Sequence, residues 1–213
     1  MRRRPFFESL LGELDTALRT LMPPRPRVSK RLTPAHDIPE NPLTNEEKRH
    51  VAGLMRVNLA GEVCAQALYR GQALTARLAE VRNQMDKAAA EEVDHLAWCE
   101  ERLHDLNSQP SLLNPVWYFG SLVLGMAAGL AGDRLSLGFL AETEQQVSQH
   151  LQKHIARLPK QDRKTKRILE QMHEDEAHHA DVAIRAGAVD LPDFIKNLMR
   201  KVSKIMTRSS YYF

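Results

Sequence analysis

Apolar residues recur at helical spacing along most of the chain, and breaks in that pattern divide it into seven predicted helices. These helices cover residues 5–21, 44–79, 83–107, 115–132, 133–157, 161–187 and 191–207. A capping box formed by Thr44 and Glu47 opens the second helix, and Gly187 ends the sixth. The Pro-rich stretch 22–43 is predicted to be an extended linker. The pattern therefore predicts an all-α protein.

Four of the predicted helices carry a glutamate in the middle of the apolar face. An α-helix turns about 100° per residue, so each side chain can be placed relative to the apolar stripe of its helix. In the third helix, Met85, Leu96 and Leu103 fall on the same side as Glu92. The same argument selects one glutamate in each of the other three helices: Glu62, Glu144 and Glu176.

The spacing Glu-x-x-His occurs five times in the chain, and helical phase chooses between the copies. The pairs Glu92/His95 and Glu176/His179 lie on apolar faces, whereas Glu101 points to the opposite side. An unpaired buried carboxylate costs several kcal/mol or takes up a proton, and no Lys or Arg shares these central turns. Four carboxylates with two imidazoles therefore predict a site for two metal ions. Coincidental burial in a long helical bundle is the alternative.

The six residues form the same arrangement twice, a lone Glu followed about thirty residues later by Glu-x-x-His. The turns that bring each pair level are centred at Pro159-Lys160 and near Arg77, where the turn signal is weaker. Carboxylate and imidazole ligands without thiolate suit iron or manganese. The arrangement is that of ferritin-like di-metal proteins, so the sequence predicts a ferritin-like four-helix bundle with a crossover apolar helix and a C-terminal amphipathic helix. The predicted domain division is an N-terminal amphipathic segment and linker over 1–43 and the di-metal domain over 44–213.

Composition suits one helical domain, and the distribution of charge suggests partners. The 213 residues are 43% apolar and 27% charged with a net charge of +3, but both ends are basic and the middle is acidic. The final helix is basic and amphipathic, which suits an anionic membrane surface. Packing against the bundle is the alternative. No nucleic-acid-binding module is visible, so no nucleic acid partner is expected.

The most apolar stretch, 115–132, is close to the length of a membrane span. A full span is not expected, because it would place the two ligand pairs on opposite sides of the membrane. Two interpretations stay open: a buried crossover helix whose glycines allow close packing, and a helix that dips into the bilayer surface.

The two cysteines and the N-terminus bear on the compartment. Cys64 and Cys99 suit small buried side chains in a reducing compartment, with a redox-active pair as the alternative. The arginines at 2–4 precede no uninterrupted apolar core, and acidic residues follow at Glu8 and Glu13. The sequence therefore favours a bacterial protein without a secretory signal.

Several motifs resemble those of the demethoxyubiquinone hydroxylase family, and the resemblance covers about residues 44–207. They are Asn58-Leu59-Ala60-Gly61-Glu62, Glu92-Val93-Asp94-His95, Glu176-Ala177-His178-His179 and Asn114-Pro115-Val116-Trp117. The resemblance implies a di-iron monooxygenase that uses O2 to hydroxylate the ring of a demethoxyubiquinol in ubiquinone biosynthesis. It implies two iron ions held by Glu62, Glu92, His95, Glu144, Glu176 and His179, with Glu92 and Glu176 bridging, and no catalytic residue beyond these ligands.

The resemblance also implies a reductant and a location. The family's electrons are thought to come from NADH, but no Gly-rich dinucleotide fingerprint is present, so no cofactor-binding residue is assigned. The polyprenyl tail of the substrate lies in the bilayer, so we expect a peripheral protein on the cytoplasmic side of a bacterial cell membrane. A homo-oligomer or a complex of ubiquinone-biosynthesis proteins is also expected.

Two neighbouring positions, His150 and Leu151, correspond to family residues near the site, and three rival functions stay open. His150 matches a family histidine near the site but lies off the centre of its apolar stripe. Leu151 stands where eukaryotic members carry Tyr, so a relay role for that Tyr does not transfer. The rival functions are a ferritin-like iron-binding protein, a di-metal peroxidase or catalase, and a lipid-binding bundle without enzymatic activity.

Overall fold

A computed structural model of the protein describes residues 6–24 and 26–213, and the arginines at 2–4 lie outside this range. All seven predicted helices are present, and the described residues contain no strand. The helices are α1 Phe6–Leu21, α2 Asn45–Thr75, α3 Ala79–Asp105, α4 Asn114–Ala131, α5 Asp133–Ile155, α6 Arg163–Arg185 and α7 Asp193–Tyr212. The predicted all-α class is confirmed. The last helix extends to Tyr212, beyond the predicted end at residue 207.

Four helices form the bundle that carries the predicted ligands. The loop 76–78 joins α2 to α3, and the loop 156–162 joins α5 to α6, so each pair is a helical hairpin. The four helices bury their apolar faces against one another. The fully buried large side chains of this core include Leu54, Met55, Leu59, Met85, Leu96, Leu137 and Leu151.

The α2–α3 loop lies four residues earlier in the chain than the predicted helix bounds place it. Helix α2 ends at Thr75 rather than residue 79, and α3 begins at Ala79 rather than residue 83. The carboxylate of Asp133 accepts the backbone N–H groups of Arg77 at 2.9 Å and of Leu78 at 2.8 Å. The first turn of α5 therefore holds this loop, which explains why the loop's own residues give a weak turn signal.

The crossover helix α4 packs one face closely on α2 and leaves the other exposed. A Cβ on Gly125 would overlap the backbone carbonyl of Leu68, so glycine at this position lets the two helices approach. The opposite face exposes large apolar side chains: Val116, Phe119, Val123, Leu124 and Leu130. Within the described residues, no helix combines the length and the apolar character that crossing a membrane requires. The structure therefore confirms that the glycines of α4 let it pack closely on α2, and the interpretation that this helix dips into the bilayer surface stays a prediction.

The C-terminal helix α7 lies across α2 and α5 with its apolar row facing outward. Lys196 lies 3.8 Å from the carboxylate of Glu142 on α5, and the indole of Trp117 on α4 donates to Ser210 at 3.1 Å. The exposed apolar side chains of α7 are Phe194, Leu198, Val202 and Ile205. The predicted amphipathic helix is confirmed, and it packs on the bundle through the side opposite this row, where the ring of Tyr211 lies against Gly53 of α2.

Residues 26–44, here called the N-terminal segment, lie against α3 and α6 and are largely extended, as predicted. Arg27 pairs with Glu100 of α3 at 2.7 Å. Glu40 pairs with the buried Arg102 of α3 at 2.6 Å. The segment is therefore attached to the bundle along its length rather than free of it.

Candidate metal centre

The structure brings all six predicted ligand residues together in the core of the bundle. Their donor atoms form two groups, each within 4.8 Å: Glu62, Glu92, His95 and Glu176 in one, and Glu92, Glu144, Glu176 and His179 in the other. The six side chains are buried, and the most exposed of them, His179, is only 8% exposed. Glu92 and Glu176 belong to both groups, which is the placement expected of bridging carboxylates.

The two imidazoles present Nδ1 to the carboxylates. His95 Nδ1 lies 3.1 Å from both Glu92 and Glu176 and 3.5 Å from Glu62. His179 Nδ1 lies 3.1 Å from Glu176 and 3.4 Å from Glu92. Each half of the site is therefore an imidazole nitrogen surrounded by carboxylate oxygens.

Two carboxylate oxygens in the centre of the cluster lack a hydrogen-bond partner among the described residues, namely Oε1 of Glu92 and Oε1 of Glu176. Each lies near an imidazole nitrogen that already faces another carboxylate oxygen. A buried carboxylate oxygen without a partner is costly, and a cation satisfies it. Oxygen and imidazole donors without thiolate suit iron or manganese, so the residues present fit a pair of such ions.

The electrostatics of the cluster also fit two divalent cations. Burial raises the pKa of Glu62 and of Glu144 well above the usual range. Burial disfavours the charged imidazoles, but the hydrogen bonds that they donate to surrounding carboxylates outweigh it, raising the pKa of His179 to about 12 and that of His95 well above its usual value. All four shifts favour the protonated forms, because protons offset the negative charge of the buried carboxylates. Two divalent cations would offset that charge instead.

Each imidazole is held from behind by a carboxylate on the opposite hairpin. His95 Nε2 lies 2.9 Å from Asp175 of α6, and His179 Nε2 lies 2.8 Å from Glu91 of α3. A carboxylate can only accept, so each Nε2 donates and each Nδ1 is left to bind metal. The sequence analysis missed both residues. The available signal was an acidic residue directly before the glutamate of both selected Glu-x-x-His motifs.

Tyr69 holds one of the lone glutamates. Its hydroxyl donates to Oε1 of Glu144, and its side chain is fully buried. The sequence analysis did not single out Tyr69, whose ring packs in the bundle core. The hydroxyl gives it a second role, because it fixes the orientation of Glu144.

His150 belongs to neither donor group. Its ring lies against His154, with centroids 3.9 Å apart, and His154 in turn bonds Asn58 at 2.8 Å. Burial, with Lys153 and Arg157 nearby, lowers the pKa of His150 to about 4. The structure therefore places His150 outside the candidate ligands, with its imidazole packed against that of His154 and favoured in the neutral form.

The remaining sequence candidates are not part of the cluster. Glu101 and His104 are exposed, as helical phase predicts. Cys64 and Cys99 are both free, and the thiol of Cys99 packs 3.9 Å from the sulfur of Met172. These residues complete no further donor group within the part of the chain that the structure describes.

Comparison with known proteins identifies the family. The sequence model described as "ubiquinone biosynthesis protein COQ7" matches residues 49–210. A 3-demethoxyubiquinol 3-hydroxylase of Legionella pneumophila (strain Corby) is 62% identical over 100% of each chain. A protein of the same name from Acinetobacter baylyi is 57% identical, also over 100% of each chain. The chain therefore belongs to the COQ7 family of ubiquinone biosynthesis proteins, which confirms both the ferritin-like fold and the resemblance of its ligand motifs.

Proposed function

We propose that this chain is a 3-demethoxyubiquinol 3-hydroxylase that uses O2 and two iron ions to hydroxylate the ring of a demethoxyubiquinol. The observation that carries this proposal is the buried cluster of four carboxylates and two imidazoles in a chain whose full-length relatives bear that name. The rival storage and peroxidase functions use the same type of cluster, but no relative named here supports them.

The proposed ligands are Glu62, Glu92, His95, Glu144, Glu176 and His179, with Glu92 and Glu176 shared between the two irons. When bound, the irons would supply the electrons and the oxygen activation that side chains cannot. Asp175 and Glu91 keep each imidazole in the tautomer that presents Nδ1, and Tyr69 orients Glu144. Apolar side chains of the bundle core surround most of the cluster, and this low-polarity environment strengthens the buried polar contacts.

We further propose that the protein binds peripherally to the cytoplasmic side of a bacterial membrane, where the polyprenyl tail of the substrate lies. The outward apolar row of α7 supports this, since Phe194 is 72% exposed and Ile205 is 64% exposed. Lysines and arginines flank that row, as in helices that lie on anionic surfaces.

Co-sedimentation with anionic liposomes at low salt tests the membrane proposal. Wild-type protein should sediment with the liposomes, and Leu198→Ser with Ile205→Ser should reduce the bound fraction severalfold. Leu32→Ser is the matched control, because Leu32 is 76% exposed on the N-terminal segment, away from α7. Wild-type protein that stays in the supernatant would show the proposal to be wrong.

Reconstitution with Fe(II) tests the hydroxylase proposal. Wild-type protein should bind about two irons per chain and convert a short-tailed demethoxyubiquinol to its hydroxylated product under O2. Glu92→Gln should abolish both, whereas Glu101→Gln, in an exposed Glu-x-x-His of the same helix, should leave both unchanged. Many irons per chain, or peroxide turnover without quinol, would favour a rival function.

Three expectations stay predictions: that NADH is the electron donor, that the protein forms a homo-oligomer, and that it joins a biosynthetic complex. Comparing NADH with a chemical reductant in the hydroxylation assay tests the first of these.

A further inference from the structure

The two halves of the cluster match in their candidate ligands but differ in what holds the imidazoles. Behind His95, Asp175 Oδ2 also accepts from Arg31 Nη2 at 2.9 Å, and Asp175 Oδ1 accepts from Gln171 at 3.1 Å. Both oxygens of this carboxylate are therefore fixed. The corresponding carboxylate behind His179 is fixed less firmly.

Glu91 is the counterpart of Asp175 in the other half. Its Oε2 accepts from His179, but its Oε1 lies 3.8 Å from Lys87 Nζ, and that lysine is 79% exposed. The Glu91 side chain is 42% exposed, against 18% for Asp175. A recess of about 70 Å³ beside Glu91 and His179 opens this half to solvent. An exposed lysine at that distance does little to hold the Glu91 carboxylate in one position.

Arg31 itself is held by several contacts. Its Nε lies 3.0 Å from Asp94 Oδ2, and its guanidinium lies 4.7 Å from the ring centre of Trp98. The backbone N–H of Lys30 donates to Asp94 Oδ1 at 2.6 Å, and the indole of Trp98 donates to the carbonyl of Arg31 at 3.4 Å. The planar fork of arginine can serve two carboxylates at once, here Asp94 and Asp175.

Arg31 reaches the candidate ligand through Asp175 and not directly. Its Nη2 lies 3.5 Å from His95 Nε2, but both nitrogens are donors, so they do not bond each other. The carboxylate of Asp175 accepts from both. A shift of Arg31 would therefore move Asp175 and, with it, the imidazole of His95.

We infer that Arg31 is a positioning residue that fixes Asp175 and thereby His95, so that the N-terminal segment makes the His95 half the tighter of the two metal positions. This inference rests on the proposed two-iron centre. Partners of this kind behind a metal-binding histidine contribute about 10- to 100-fold to metal affinity. The two irons should therefore leave the protein at different rates.

Iron release from the full-length protein tests this inference. Protein loaded anaerobically with ⁵⁷Fe(II) is mixed with a chelator, and release is followed by absorbance. Wild-type protein should release its iron in two phases of about one iron each. Arg31→Gln should accelerate the slow phase about 10- to 100-fold and leave the fast phase unchanged. Arg31→Lys should restore part of the difference between the two release rates. Lysine supplies a positive charge to Asp175 but lacks the planar guanidinium that contacts two carboxylates at once.

Arg27→Gln is the matched control, because Arg27 lies on the same segment and pairs with Glu100 of α3 without contacting Asp175. It should leave both phases within about twofold of wild type if Arg31 acts through Asp175. Mössbauer spectra of the loaded proteins should show one altered iron signal in Arg31→Gln and none in Arg27→Gln. Asp175→Asn should reproduce the effect of Arg31→Gln, and circular dichroism checks that each variant is folded.

Three results would overturn the inference: a slow phase unchanged in Arg31→Gln, equal acceleration of both phases, or the same acceleration in Arg27→Gln. The last would show that docking of the segment matters and Arg31 does not. Wild-type protein that binds fewer than two irons would instead overturn the two-iron proposal, and this inference with it.

Discussion

Replacing Tyr69 with Phe removes a hydroxyl that donates to Glu144 and leaves the buried aromatic ring in place. In the metal-bound protein Glu144 is an anion, and a hydrogen bond to a charged acceptor contributes about 1.5–3 kcal/mol. In the metal-free protein burial raises the pKa of Glu144 and so favours the neutral acid, to which a hydrogen bond contributes about 1 kcal/mol. The difference, about 0.5–2 kcal/mol, should appear as weaker metal binding.

That difference corresponds to a roughly 2- to 30-fold rise in the dissociation constant of one iron. Glu144 shares a donor group with His179, so the iron of that half should be affected. Anaerobic competition between the protein and a calibrated Fe(II) chelator measures the change. Tyr118→Phe is the control, because Tyr118 is equally buried but outside the donor groups. An affinity within about twofold of wild type in Tyr69→Phe, or an equal loss in Tyr118→Phe, would refute the reasoning.

Three further predictions concern stability. Gly125→Val should lower the free energy of unfolding by about 1–3 kcal/mol in a urea titration, because a side chain there overlaps the carbonyl of Leu68. Arg102→Ala should lower it by about 3–5 kcal/mol in the same assay, because it leaves the buried carboxylate of Asp162, 3.0 Å from the guanidinium, without its partner; a change below about 1 kcal/mol would contradict this. Metal-free protein should lose thermal stability as the pH rises from about 6.5 to 9, because the pKa of His179 is raised from 6.5 to about 12 and the folded state binds the additional proton in that range. Metal-loaded protein should show a flatter profile, and metal-free stability that rises over this range would contradict the prediction.

The helices and the six candidate ligands could be predicted because both follow from the helical repeat of apolar residues, which is a property of the local sequence. Helical phase alone separates Glu92 from Glu101 on α3, and the structure buries the first and exposes the second. Asp175 and Glu91 could have been found by the same means. Each directly precedes a selected glutamate, and helical geometry then points it toward the other hairpin.

Contacts made by distant parts of the chain could not be predicted in this way. Arg31 meets Asp175 from an extended segment without periodicity, so phase says nothing about its position. Asp133 closes the α2–α3 loop from the start of α5, which is why the loop's own residues look like a weak turn. Both features depend on tertiary packing, which composition and spacing do not encode.

The most direct test of the proposed function is a mass spectrum of quinones extracted from cells that lack this gene and any second hydroxylase. We expect a species lighter than ubiquinone by one methoxy group to accumulate. Wild-type protein and Glu142→Ala should restore ubiquinone, because Glu142 faces Lys196 on α7, outside both donor groups. Glu144→Ala should not restore it. A normal quinone profile in the cells without the gene would contradict the proposed reaction, and restoration by Glu144→Ala would contradict the proposed site.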